Sequence, residues 1–348
     1  MNESIAELAG NYGTGPSESP DVAHKLMGTV YLNGQFIPLE RAAVSVMDRG
    51  FVFGEGIYEV VPNYGQGLFR LDEHIARLKN SLAAIGIDNP LADQAWEEIS
   101  HRLVRDYGSR KMVVYLQVTR GVALARTHAI PRNLEPTIFA MACPLPVLPL
   151  NLAQVGVSAI TSNDIRWLRC DIKTTALLAN TLLIQQAHKR SAEEAILIRD
   201  GFAYEGASSN LFLVRNGVVP TPPTSSFLLA GITRQVVLDL LRDERIPTNE
   251  ELVTEQALLT ADEVWITSST KRIMPVCRIN DKPVGSGRPG PIWEAANAIF
   301  NGMKRHASVD GRRDLCTTYA IIPKRRLRRS SLSVTRSDND QPRRPRRS

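Results

Sequence analysis

Lys173 stands in the run Asp171-Ile172-Lys173-Thr174-Thr175, between a β-rich stretch ending near Thr161 and a helix expected over about 174–190. A lysine at a strand-to-helix junction beneath a loop can be partly desolvated. Desolvation lowers its reference pKa of ~10.4, and the neutral amine that results can attack a carbonyl. A lone lysine is ordinarily a surface charge, so its company decides the reading. Farther along stand a carboxylate on a strand turn (Glu205, in Tyr204-Glu205-Gly206-Ala207-Ser208-Ser209-Asn210), a glycine opening a helix (Gly231-Ile232-Thr233) and a hydroxyl cluster (Thr267-Ser268-Ser269-Thr270).

Those parts match the needs of pyridoxal 5′-phosphate. Its aldehyde takes a lysine, and its pyridine nitrogen takes a carboxylate that keeps it protonated and electron-accepting. Its phosphate takes the free amides of a helix N-terminus and nearby hydroxyls. Competing chemistries fail on pattern. Phe53-Gly54-Glu55-Gly56-Ile57-Tyr58-Glu59 has the first two glycines of a dinucleotide fingerprint, but Glu59 replaces the third and a strand follows. There is no P-loop and no serine elbow. Cys143, Cys170, Cys277 and Cys316 lie far apart without a CxxC pair, so neither a zinc site nor a disulfide framework is expected and a reducing cytoplasm suits the chain.

The expected scaffold for these residues is α+β with mixed sheets, because hairpins outnumber βαβ units. Residues 1–26 read as a disordered leader and 27–143 as a small N-terminal α/β domain. In that domain, Asn33-Gly34 turns a hairpin of 29–32 with 35–37, and 57–61 with 68–71 forms a second. Asp72 caps a helix striped by Ile75, Leu78, Leu82 and Ile85. Another helix covers 92–107, and strands follow at 112–119 and 137–142. Residues 144–151, holding Pro144, Pro146 and Pro149, read as a linker. The large cofactor-binding domain is then 152–304. It opens with a strand at 154–161 and, after the 174–190 helix, has a three-strand meander at 195–199, 203–204 leading into 211–215, and 218–220. A helix at 231–244, a strand at 263–267 and a helix at 291–304 follow.

The 348 residues are 43 % hydrophobic and 22 % charged, and no window is apolar for long enough to span a bilayer. Met1-Asn2-Glu3-Ser4 has neither the basic start nor the apolar run of a secretory signal. The net charge of +6 is local. From Arg305 onward there are 13 Lys/Arg against 4 Asp/Glu, leaving 29 basic and 32 acidic residues before it. The body is mildly acidic, and 305–348 reads as a basic, disordered tail.

Three runs resemble the class IV aminotransferases, the fold-type IV pyridoxal-phosphate enzymes. They are Arg49–Val60, the stretch Asp164-Ile165-Arg166-Trp167-Leu168-Arg169-Cys170-Asp171-Ile172-Lys173, and Glu205–Asn210. Gln117-Val118-Thr119-Arg120-Gly121 adds to the likeness, which covers about Gly28 to Lys304 and is strongest toward the D-amino-acid branch. The resemblance implies two domains with mixed sheets, the larger a pseudo-barrel. It makes Lys173 the Schiff-base lysine and proton shuttle. Glu205 would pair with the pyridine nitrogen, while Arg77, Ile232, Thr233 and Ser269 would cradle the phosphate. Tyr58 would line the substrate pocket. Arg126 and His128 match a pair that binds the substrate α-carboxylate from the partner subunit, implying a homodimer. The implied reaction is ping-pong transamination between a D-alanine-like amino acid and a 2-oxo acid, with 2-oxoglutarate as the expected acceptor. Branched-chain L-amino-acid aminotransferases and 4-amino-4-deoxychorismate lyases share the lysine and glutamate and remain alternatives, as does a non-catalytic protein with a polyanion-binding tail. Glu55 departs from the usual aspartate of this pattern, and Lys271-Arg272 alters the residues after the hydroxyl cluster.

Overall fold

The structure is a computed structural model that describes residues 28–109, 111–148 and 151–306. The leader and nearly all of the basic tail, both expected to be disordered, lie outside the described residues. Among the described residues, no helix is long and apolar enough to cross a membrane.

A first sheet is built from β1 (Thr29–Leu32), β2 (Gln35–Pro38), β3 (Gly56–Tyr64), β4 (Lys111–Thr119) and β5 (Thr137–Pro144), in the order β2-β1-β5-β4-β3. Every pairing is antiparallel. The short helix α1 (Arg49–Phe53) precedes β3, while α2 (Leu71–Ala84) and α3 (Asp93–Tyr107) carry the apolar stripes that cover the sheet. Leu78 and Leu82 of α2 and Trp96 and Leu103 of α3 are fully buried with Ile57 and Val61 of β3. Each such side chain contributes ~1.5–3 kcal/mol from burial.

The hairpin of 57–61 with 68–71 does not form. β3 spends its ladder on β4 along nine residues, leaving Leu68 only an isolated bridge to Asn63. Leu71 already belongs to α2 because its side chain is buried in that core, so Asp72 lies inside the first turn and Arg70 holds the cap position.

The second sheet holds β6 (Val157–Asn163), β7 (Glu194–Arg199), β8 (Phe202–Gly206), β9 (Asn210–Val214), β13 (Glu263–Ser268) and β14 (Arg272–Ile279). These six pair in the circuit β8-β7-β6-β14-β13-β9, and β9 returns to β8 through the single pair Glu205↔Asn210, closing a barrel. Two of its pairings, β14–β6 and β6–β7, are parallel, as a mixed sheet requires. The expected pieces 203–204 and 211–215 are two antiparallel strands, β8 and β9, rather than one member of a meander, because residues 207–209 fold the chain back and the Gly206 amide donates to the Ser209 carbonyl at 2.7 Å. β14 has no counterpart among the expected elements. Pro275 inside it argues against a strand, yet the ladder to β6 begins only at Val276, so the missing N–H breaks no bond there. Around the barrel lie α4 (Leu152–Val155), which delays β6 to Val157, α5 (Leu178–Lys189), α6 (Ile232–Asp243), α7 (Glu255–Leu259) and α8 (Pro291–His306). The small strands are β10 (Val219–Thr221), β11 (Thr248–Glu250), β12 (Val253–Thr254) and β15 (Lys282–Pro283).

Candidate active site

A cleft of about 770 Å³ lies between the first sheet and the barrel. Tyr58, Arg77, Lys173, Glu205, Ile232, Thr233 and Ser269, taken from six separate stretches of sequence, all line it. Arg126 and His128 do not. They sit on the exposed stretch 124–130, packed on Phe53 with the Arg126 guanidinium 5.2 Å and the His128 ring 5.6 Å from its ring centre.

Lys173 is placed by backbone bonds. The expected helix start at residue 174 is four residues early, because 172–175 run as an extra strand-like edge along β3. The Tyr58 amide donates to the Lys173 carbonyl at 3.0 Å, and the Thr175 amide donates to the Gly56 carbonyl at 2.9 Å. Gly56 is required there: a Cβ would stand 2.7 Å from Thr175 Oγ1. Ile172 is buried in the core of the first sheet, and Thr174 bridges Ile57. Alternation between these two anchors leaves the Lys173 side chain to the cleft, with Nζ 4.3 Å from the Tyr58 ring centre.

The same alternation turns Glu59, flanked by Ile57 and Val61, toward α2. That helix presents His74, Arg77 and Ser81 at i, i+3 and i+7 as a polar stripe beside its apolar one. Arg77 donates to Glu59 through Nε at 2.7 Å and Nη2 at 2.8 Å, and its Nη1 donates to the Ala230 carbonyl. His74 Nδ1 meets Glu59 Oε2 at 2.7 Å, and the Lys173 amide donates to Ser81 Oγ at 3.3 Å. Burial works against the Glu59 charge, but Arg77 and His74 outweigh it and hold the carboxyl well below its ordinary range.

Glu205 has weaker compensation. Its Oε1 accepts from Arg166 Nη1 at 2.5 Å, and its Oε2 accepts from Asn210 Nδ2 and the Leu229 amide, each at 3.1 Å. Arg166 is shared with Asp164, which also binds Arg199. Burial therefore prevails and pushes Glu205 up to about 7. The adjoining turn is held by Glu194, whose Oε2 accepts from Ser208, Ser209 and Lys271. Lys271 thus serves that buried carboxylate.

The residues fit pyridoxal phosphate. The N-terminus of α6 has no side-chain cap, so the amides of its first turn are open for an anion beside Arg77. Thr267 Oγ1 in the cleft wall is buried without a hydrogen-bond partner. A carboxyl lifted to about 7 has room for one more cation, which the protonated ring nitrogen of a bound cofactor would supply. The sequence reading missed Glu59, His74, Arg166 and Asn210. For the first two a signal exists: a carboxylate inside an apolar strand, and a His-x-x-Arg spacing on the neighbouring helix.

A closed barrel beside an antiparallel sheet, with a lysine, a buried glutamate and an anion-binding helix end in the cleft between them, defines a transaminase of fold-type IV. The chain belongs to the class IV amino-transferases, whose family model matches residues 56–279. It is 45 % identical over 263 residues to the D-alanine aminotransferase of Bacillus licheniformis, covering 76 % of this chain and 92 % of that one. It is 38 % identical to the D-alanine aminotransferase of Staphylococcus haemolyticus, over 79 % and 97 % of the two chains. Among solved structures, the branched-chain amino acid aminotransferase of Escherichia coli superposes with a TM-score of 0.76 at 25 % identity, over 80 % of this chain and 94 % of that one. A branched-chain amino acid aminotransferase from T.th., solved with pyridoxamine 5′-phosphate, gives 0.74 at 27 %, over the same shares. Enzymes of this class work with pyridoxal 5′-phosphate on small amino and oxo acids.

Proposed function

We propose that this chain is a cytoplasmic homodimeric D-amino-acid transaminase that moves an amino group between a D-alanine-like donor and 2-oxoglutarate. The observation that carries the chemistry is the presence of Lys173, Glu205 and Arg77 in one cleft. Support for the D-series comes from relatives named D-alanine aminotransferase at 38 to 45 % identity and from the Arg126-x-His128 pair.

When bound, the cofactor supplies the electron sink for the carbanion left by loss of the α-proton. The chain supplies the rest. Lys173 Nζ would hold the cofactor covalently at rest; once the substrate's amino group displaces it there, the freed amine would take the α-proton and return it one position along. Such positioned transfer supplies ~10²–10⁴ in rate. Glu205 keeps the ring nitrogen protonated, and Arg166 and Asn210 keep Glu205 oriented. Arg77, the first amides of α6, Thr233 and Ser269 hold the phosphate, while Tyr58 walls the substrate side. Arg126 and His128 are exposed on their own chain and grip the substrate carboxylate in the partner's cleft by a charge-assisted pair.

Titrating the holoenzyme separately with D-alanine and L-valine while following its near-ultraviolet and visible spectrum tests cofactor, chemistry and handedness together. D-alanine bleaches the cofactor band and L-valine leaves it. Conversion by L-valine alone assigns the protein to the L-series. Lys173→Ala abolishes turnover, and borohydride reduction with peptide mapping labels Lys173 in the native protein.

A further inference from the structure

α1 and the start of β3 form a perch under the Arg126-x-His128 stretch. Arg49, at the head of α1, is 1 % exposed although it reaches a surface loop. Its Nη1 donates at 2.8 Å to the carbonyl of Thr127, the residue between Arg126 and His128. Its other two donors are fixed by Glu55: Nε to Oε2 at 2.9 Å and Nη2 to Oε1 at 2.6 Å. Glu55 is in turn held by Arg120 Nε at 2.6 Å, and Arg120 is tied to the carbonyls of Ile85 and Gly86 beyond α2. Glu55 thus spans two arginines, which keep its carboxyl below its ordinary range despite opposing burial. Phe53, at the end of α1, completes the perch: its ring lies 4.6 Å from the Arg49 guanidinium and also carries Arg126 and His128. Leu124 to Ile130 are all exposed, so the loop has no core of its own to fix its shape.

We infer that Arg49, locked by Glu55 and Arg120, is a positioning residue that sets where Arg126 and His128 stand and thereby tunes affinity for the substrate carboxylate. The inference rests on the proposal that this pair binds that carboxylate. Arg49 touches neither substrate nor cofactor. It acts through the Thr127 carbonyl, and displacing an anchoring group by about 1 Å is enough to cost ~10²-fold in a bound geometry.

The test is a double-mutant cycle in the full-length holoenzyme, with KM for D-alanine and 2-oxoglutarate, kcat and the cofactor spectrum read for Arg49→Lys, Arg126→Ala and the pair. Lysine keeps the charge but not the fork that serves Glu55 and Thr127 together. Arg49→Lys raises both KM values at least tenfold, with kcat within threefold and the spectrum unchanged. In the Arg126→Ala background the same change raises KM less than twofold further. An Arg49→Lys enzyme with ordinary KM beside a defective Arg126→Ala overturns the positioning role and leaves the carboxylate reading intact. Multiplying effects in the pair also overturn it, because Arg49 would then act elsewhere. An Arg126→Ala enzyme with ordinary KM removes the carboxylate reading and the inference with it. If Arg49→Lys does not fold, Phe53→Leu in the same cycle decides by the same criteria.

Discussion

Glu59 and Glu205 are both buried carboxylates that accept from an arginine, one behind Arg77 at the edge of the cleft and one in the barrel wall. Glu59 receives two bonds from a single guanidinium and a third from His74, and its charge is secure. Glu205 receives one guanidinium bond from an arginine already committed to Asp164, plus two long amide bonds, and burial lifts it to about 7. Full compensation makes a rigid post for Arg77. Partial compensation leaves a group whose charge is completed by what binds beside it.

Breaking the post has the largest effect. Glu59→Gln leaves Arg77 without its counter-ion and costs ~3–5 kcal/mol of stability, read by urea unfolding at pH 7. Because the folded-state pKa of Glu59 is depressed, its contribution is present above about 4.5 and is lost as pH falls. Glu205 has the opposite sign. The unfolded chain ionises it from about 4.5, whereas the folded apoprotein holds the proton to about 7. Stability of the apoprotein therefore falls across that window, by on the order of 3 kcal/mol. Glu205→Gln removes this slope in apoprotein melts between pH 4.5 and 7.5 and lowers kcat of the holoenzyme. Gly231→Ala attacks the contrast indirectly. Its methyl would stand 1.9 Å from Asn210 Oδ1, so Asn210 shifts and releases Glu205. Overpacking of this kind costs ~1–3 kcal/mol and weakens cofactor binding in an absorbance titration. Smallest is Ser208→Ala, which removes one of three donors to Glu194 Oε2 and costs about 1 kcal/mol in thermal unfolding.

The readable part of the molecule was local. Asn33-Gly34 specifies its hairpin, and the stripe of Ile75, Leu78 and Leu82 specifies α2, because turn chemistry and period act within a few residues. Lys173, Glu205 and the α6 N-terminus carry distinctive neighbours, and the cleft gathers them. What escaped depends on long-range pairing. Residues 172–175 hold a strand-like course only because β3 lies alongside, and local sequence favours the helix that begins at Leu178. Glu59 in an apolar strand is a misfit until His74 and Arg77 arrive from α2. Pro275 masks β14 because the harmless place for a missing donor is visible only once β6 is in register.

The barrel is fastened by one clasp, and half of that clasp is Glu205, the carboxyl that burial lifts to about 7. Each small parting of the seam at Glu205 and Asn210 detunes the proton held there. A cofactor seated against Glu205, as proposed above, would therefore double as a rivet, and amide exchange along β8 and β9 is expected to slow in step with its occupancy.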